Sequence, residues 1–99
     1  MTKTKRCVCA AVEICHNSED TGLTISAALP GVRKQDIVLE VAEDNFCIAG
    51  ERENLQYDCC YPLTHYVDGK KSEATFENGL LVVNVPFLEE PRGKKIQIH

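Results

Sequence analysis

Short runs of alternating apolar and polar residues, separated by turn-forming residues, fill the chain from residue 7 to residue 86. Val8, Ala10, Val12 and Ile14 alternate with Cys7, Cys9, Ala11, Glu13 and Cys15, which predicts one strand over residues 7–16 with an aliphatic face. Residues 16–20 are polar and turn-rich. Leu23, Ile25, Ala27 and Leu29 then share one face of a second strand, which Pro30-Gly31 breaks. A single helical turn fits residues 32–36. Ile37, Leu39 and Val41 form the inward set of a third strand, and Phe46 and Ile48 that of a fourth ending at Gly50. Residues 51–56 read as a short polar connection. Residues 57–66 read as a further strand packed through Tyr57, Tyr61 and Leu63, with Pro62 arguing for an edge position. A charged loop over 67–71 leads to the last two strands. These flank Asn78-Gly79, a pair that tolerates the positive φ a tight type I′ hairpin needs. Leu81, Val83 and Val85 share one face of the closing strand, which Pro86 ends. With no convincing helix, this pattern predicts an all-β, immunoglobulin-like antiparallel β-sandwich.

Length and charge narrow the possibilities. The 99 residues make one domain, able to bury about two-thirds of its unfolded surface. A net charge of −4 argues against nucleic acid as a partner, since that usually needs a basic face, and Lys3, Lys5 and Arg6 are too few for a polybasic arm. No run approaches the roughly 18 apolar residues of a membrane span. No charged start leads into an apolar stretch and cleavage site, so the expected compartment is the cytoplasm and no membrane contact is expected. Six cysteines would read as a disulfide framework in a secreted domain. Without an export signal, the expectation is reduced, half-buried thiols serving as small hydrophobes.

No catalytic site is expected. The histidines, His16, His65 and His99, are not grouped by spacing with a nucleophile and an orienting acid, and no Gly-rich loop is present to cradle a phosphate. No metal or other cofactor is expected either. Ligands, were there a metal site, would come from Cys7, Cys9, Cys15 and His16, or from Cys59, Cys60 and His65. Structural zinc sites leave two to four residues between their cysteines, which Cys-x-Cys and Cys-Cys do not match.

Ala74, Asn78, Gly79 and Leu81 stand in a segment, Ala-x-x-x-Asn-Gly-Leu-Leu-x-Val-x-x-Pro, that resembles the signature hairpin of the α-crystallin domain of small heat-shock proteins. Leu29-Pro30-Gly31-Val32, the run from Asp36 to Val41, and the run from Phe46 to Arg52 agree with that family in order, and Ile96-Gln97-Ile98 is similar to its C-terminal tag. The resemblance spans residues 8–99. It implies a division into a short arm (1–6), an α-crystallin-type sandwich (7–87) and a linker-like tail (88–99) carrying the tag. It also implies an ATP-independent holdase that binds unfolding proteins and self-associates through the tail. Ile96 and Ile98 project from one side of an extended segment, suited to neighbouring pockets while the backbone pairs with a sheet edge. The groove implied by the resemblance lies between residues 37–41 and 72–76, lined by Leu39, Val41 and Ala74, with Ser72 where an aliphatic residue is usual.

Three departures from the family bear on function. The stretch between Gly50 and Tyr57 is much shorter than the loop that carries an exchanged strand in many members, so that dimer does not carry over. Only residues 1–6 precede the first strand, where members have a long arm. Aligning Tyr57, Tyr61 and Leu63 with the family's aromatic segment puts Cys59 where an arginine is usual, replacing a fixed fork of donors by one weak thiol. The short loop and missing arm favour a second reading, a small monomeric or dimeric co-chaperone-like interaction module; a thiol- or zinc-responsive version of either is a third.

Overall fold

The computed structural model describes residues 6–88 and Ile98. Two four-stranded sheets face each other. In chain order the strands are β1 (Arg6–Val8), β2 (Ala11–His16), β3 (Gly22–Ala28), β4 (Ile37–Val41), β5 (Asn45–Arg52), β6 (Leu55–Pro62), β7 (Glu73–Glu77) and β8 (Leu80–Pro86). One sheet runs β1-β6-β5-β4 and the other β2-β3-β8-β7. All pairs are antiparallel except β1 on β6. Short 3-10 turns, Lys34–Asp36 and Gly69–Lys71, precede β4 and β7.

The period-two pattern decides which faces meet. Leu23, Ile25 and Ala27 of β3 and Leu81, Val83 and Val85 of β8 are buried against Phe46 and Ile48 of β5 and Tyr57 of β6. Both residues of the Asn78-Gly79 turn take positive φ, 51° and 80°, and pair Glu77 with Leu80 across the tip. The hairpin tip rests on the Leu29-Pro30 corner. Leu29 N–H donates to the Gly79 carbonyl at 2.7 Å, and a Cβ on Gly79 would come within 3.2 Å of Pro30 Cα. Two segments far apart in sequence are therefore one packed unit.

The structure corrects the sequence reading at four places. The expected strand over 7–16 is two strands in different sheets, the chain crossing between them at Cys9 and Ala10. Ala10 remains buried through the crossing, so the alternation continues and conceals the break. The expected connection over 51–56 is instead the end of a hairpin. β5 continues to Arg52, β6 begins at Leu55, and only Glu53 and Asn54 join them, Asn54 taking φ 67°. The polarity there reflects an exposed hairpin end. β6 stops at Pro62, which pairs with Asn45 and lacks the donor to continue a ladder.

The fourth correction concerns the thiols. Cys47 and Cys60 form a disulfide, as do Cys9 and Cys59, leaving Cys7 and Cys15 free and exposed. Antiparallel register puts Cys47 directly opposite Cys60 on the outer face of β5 and β6. Alternation turns Cys59 to the inner face, where the crossing segment delivers Cys9. In a chain-entropy account, bridges with sequence separations of 50 and 13 restrict the unfolded chain by about 4 and about 3 kcal/mol respectively.

Candidate functional site

The edge strands β4 and β7 lie on the same side of the sandwich, each hydrogen-bonded to one neighbour among the described residues. Period-two alternation points Ile37 and Leu39 from β4, and Ala74 and Phe76 from β7, toward the space between the sheets. Among the described residues no strand closes that space, so these apolar side chains line a groove of about 140 Å³, floored by Leu81 and flanked by Lys34 and Thr75. Ile37, Leu39 and Phe76 are half-buried and Ala74 is exposed, a surface ready to lose water to an apolar ligand. At one end Arg33 Nε donates to Asp36 Oδ2 at 2.9 Å, tying down the turn that precedes β4.

Of the residues expected in this groove, Leu39 and Ala74 line it together. Val41 lines a separate, wider depression of about 600 Å³ with Glu43, Val67, Asp68, Lys70 and Leu88. The 3-10 turn after Asp68 separates the two, its Gly69 packed so closely that a Cβ would lie 2.5 Å from the Val41 carbonyl oxygen. Ser72 also leaves the groove, its hydroxyl donating to the Asp68 carbonyl at 3.2 Å. Ile37 and Phe76 were the missed lining residues, although each sits two positions from an expected one, on the same strand face. Ile98 is 96% exposed, and Ile96 lies outside the described residues.

The opposite side is built differently. Cys9 is bonded to Cys59, and the Tyr61 hydroxyl donates to the Ala10 carbonyl at 2.8 Å, so the crossing segment is fastened to β6 twice. Tyr61 also stacks on Phe46, ring centroids 5.0 Å apart. Burial pushes the Tyr61 phenol above its ordinary value of 10.0. The candidate metal ligands do not assemble as the sequence grouped them. Cys9, Cys59 and Cys60 are used in disulfides, while Cys7 and Cys15 belong to different sheets. His16 and His65, assigned to separate groups, meet edge to face at 5.0 Å, with His16 Nδ1 bonded to Asp20 Oδ1. Among the described residues, no group of three or more histidine, cysteine or acidic side chains is placed to hold a metal ion. Among the same residues, no helix is long and apolar enough to cross a membrane.

Comparison with known proteins places this geometry in a familiar group. The model of the Hsp20/alpha crystallin family matches residues 16–99. A protein of Leptospira interrogans described as a probable 15 kDa heat shock protein is 25% identical over 111 residues, spanning 98% of this chain and 85% of its own. Heat shock protein 16 of Schizosaccharomyces pombe is 26% identical over 98 residues, spanning 81% of this chain and 68% of its own. The solved structure of heat shock protein 16.0 from the same yeast has the same fold, with a TM-score of 0.72 at 22% identity over 96% of this chain and 77% of that one.

Proposed function

Because the chain belongs to the Hsp20/alpha crystallin family, a membership that supports a chaperone role, we propose that it is an ATP-independent holdase. In this reading it binds exposed apolar segments of unfolding proteins and limits their aggregation without catalysis. The observation that carries the reading is the apolar groove left open between the β4 and β7 edges. Its walls are unpaired strand edges and its floor is aliphatic, so an extended segment gains backbone hydrogen bonds and apolar burial together. The terminal Ile96-Gln97-Ile98 of a neighbouring copy fits those requirements, each buried isoleucine contributing about 1.5–3 kcal/mol before ordering costs.

One observation favours the second reading, a small co-chaperone-like interaction module. The two-residue turn at Glu53 and Asn54 leaves no loop between β5 and β6 to carry an exchanged strand. Light scattering on the intact chain and on a chain ending at Pro91 separates the two. An assembly that falls apart on truncation supports tail docking; a monomer in both cases overturns it and selects the module. Suppression of heat-induced turbidity of an aggregation-prone protein, with no nucleotide present, is the expected mark of the holdase, and unchanged turbidity removes that reading.

A further inference from the structure

β1 is poorly secured by packing. It is three residues long, with Arg6 and Cys7 exposed and Val8 half-buried, and it lies parallel on β6 from Leu55 to Tyr57. What it covers is a strand edge. Cys47 and Cys60 are directly opposed with Cα atoms 4.0 Å apart, the close spacing of a non-hydrogen-bonded antiparallel pair. The N–H and C=O of Cys60 therefore point away from β5, and two-residue alternation points those of Asp58 and Gln56 the same way. Gln56 faces β1, while Asp58 and Cys60 lie just beyond it, beside the crossing segment. Without β1 the outer side of β6 at Gln56 would also be an open template for another strand.

We propose that the Cys9–Cys59 disulfide is a site of reductive modification that latches β1 over this edge, and that a dithiol reductant opens it. Cys9 is exposed and Cys59 half-buried, so the reductant's thiolate attacks Cys9 Sγ and Cys59 leaves as a thiolate. The reductant's second thiol then attacks the mixed disulfide and frees Cys9. Two electrons and two protons pass to the cysteine pair, and the reductant departs as its own disulfide. After cleavage the crossing segment keeps the Tyr61 hydroxyl as its one fastening to β6 among the contacts described, and β1 detaches. The Cys47–Cys60 bond has no such effect. It joins two strands already paired from Asn45 to Pro62, so cutting it leaves their ladder in place. This latch does not depend on the holdase reading.

Hydrogen exchange on the full chain, before and after dithiothreitol, tests the proposal, with complete reduction verified by mass. Peptides covering residues 6–10 and 55–58 are expected to exchange about tenfold faster or more once reduced, while Gly22–Ala28 and Leu80–Pro86 stay protected. Cys7 and Cys15 should alkylate in both states, and Cys9 only after reduction. Cys9→Ser should match the reduced chain without reductant, whereas the Cys47→Ser/Cys60→Ser double variant should keep the response. Equal exchange of residues 6–10 in the two states overturns the latch. So does finding Cys9 and Cys59 as thiols in the air-oxidised chain, or a response lost in the double variant but kept in Cys9→Ser. If Cys9→Ser does not fold, the oxidised and reduced wild-type chains decide the question alone.

Discussion

Where the chain crosses from β1 to β2, a disulfide and a tyrosine hydrogen bond fasten the crossing segment to β6, and an aromatic stack ties β6 to β5. Where β4 faces β7, only half-buried and exposed side chains meet, and the space between them stays open. The same sandwich thus closes one side with bonds that resist opening and leaves the other as unpaired edges over apolar residues. A sheet edge is a hazard when nothing manages it. Here the β6 edge is covered by the chain's own N-terminal strand, while β1 and β2 remain the edge strands on that side.

The strongest way to break this comparison is to remove what supports the fastened side from within. Phe46→Ala deletes a fully buried ring stacked on Tyr61 and should lower stability by about 3–5 kcal/mol in denaturant titration. A loss below about 1 kcal/mol would mean the covalent bonds, rather than the core, hold that side. Replacing Cys47 and Cys60 together by alanine should cost about 3 kcal/mol while leaving β1 in place. On the groove side, Leu39→Ala should cost only about 1–2 kcal/mol, because the side chain is half-buried. Its larger effect should be on assembly size by light scattering, and an unchanged mass would count against the groove as a docking site. Tyr61→Phe is the mildest change, about 0.5–1 kcal/mol at neutral pH. Its sign is set by the raised phenol. The unfolded chain ionises first as pH climbs, so stability from Tyr61 is full below pH 10.0 and is lost as pH rises through the higher folded value. The gap between wild type and Tyr61→Phe should therefore shrink in strongly alkaline solution, as followed by thermal unfolding.

The hairpin at Asn78-Gly79 and the inward faces of β3, β4, β5 and β8 were legible because turn chemistry and two-residue alternation are local signals. Leu39 and Ala74 followed from the same alternation, while Val41 was lost to a loop whose approach depends on packing at Gly69. The disulfides show why the remainder was hidden. Arg52 opposite Leu55 fixes every later pair of the β5–β6 hairpin, so reading Glu53 and Asn54 as the turn would have set Cys47 against Cys60. Treating residues 51–56 as a loop erased that register. The Cys9–Cys59 pair offered no comparable local clue, since it depends on the chain changing sheets at Ala10, inside an uninterrupted alternation.

The adjacent pair Cys59 and Cys60 also bears on how the oxidised chain assembles. The two sulfurs face opposite sides of β6, so once the β5–β6 hairpin forms, only Cys60 can reach Cys47. That closure spans 13 positions and the other 50, a difference of about 1 kcal/mol in chain entropy favouring the shorter ring. The local bridge should form first and commit its sulfur, leaving Cys59 to wait for the N-terminal segment. Two neighbouring cysteines thereby avoid scrambling without a guide from outside the chain.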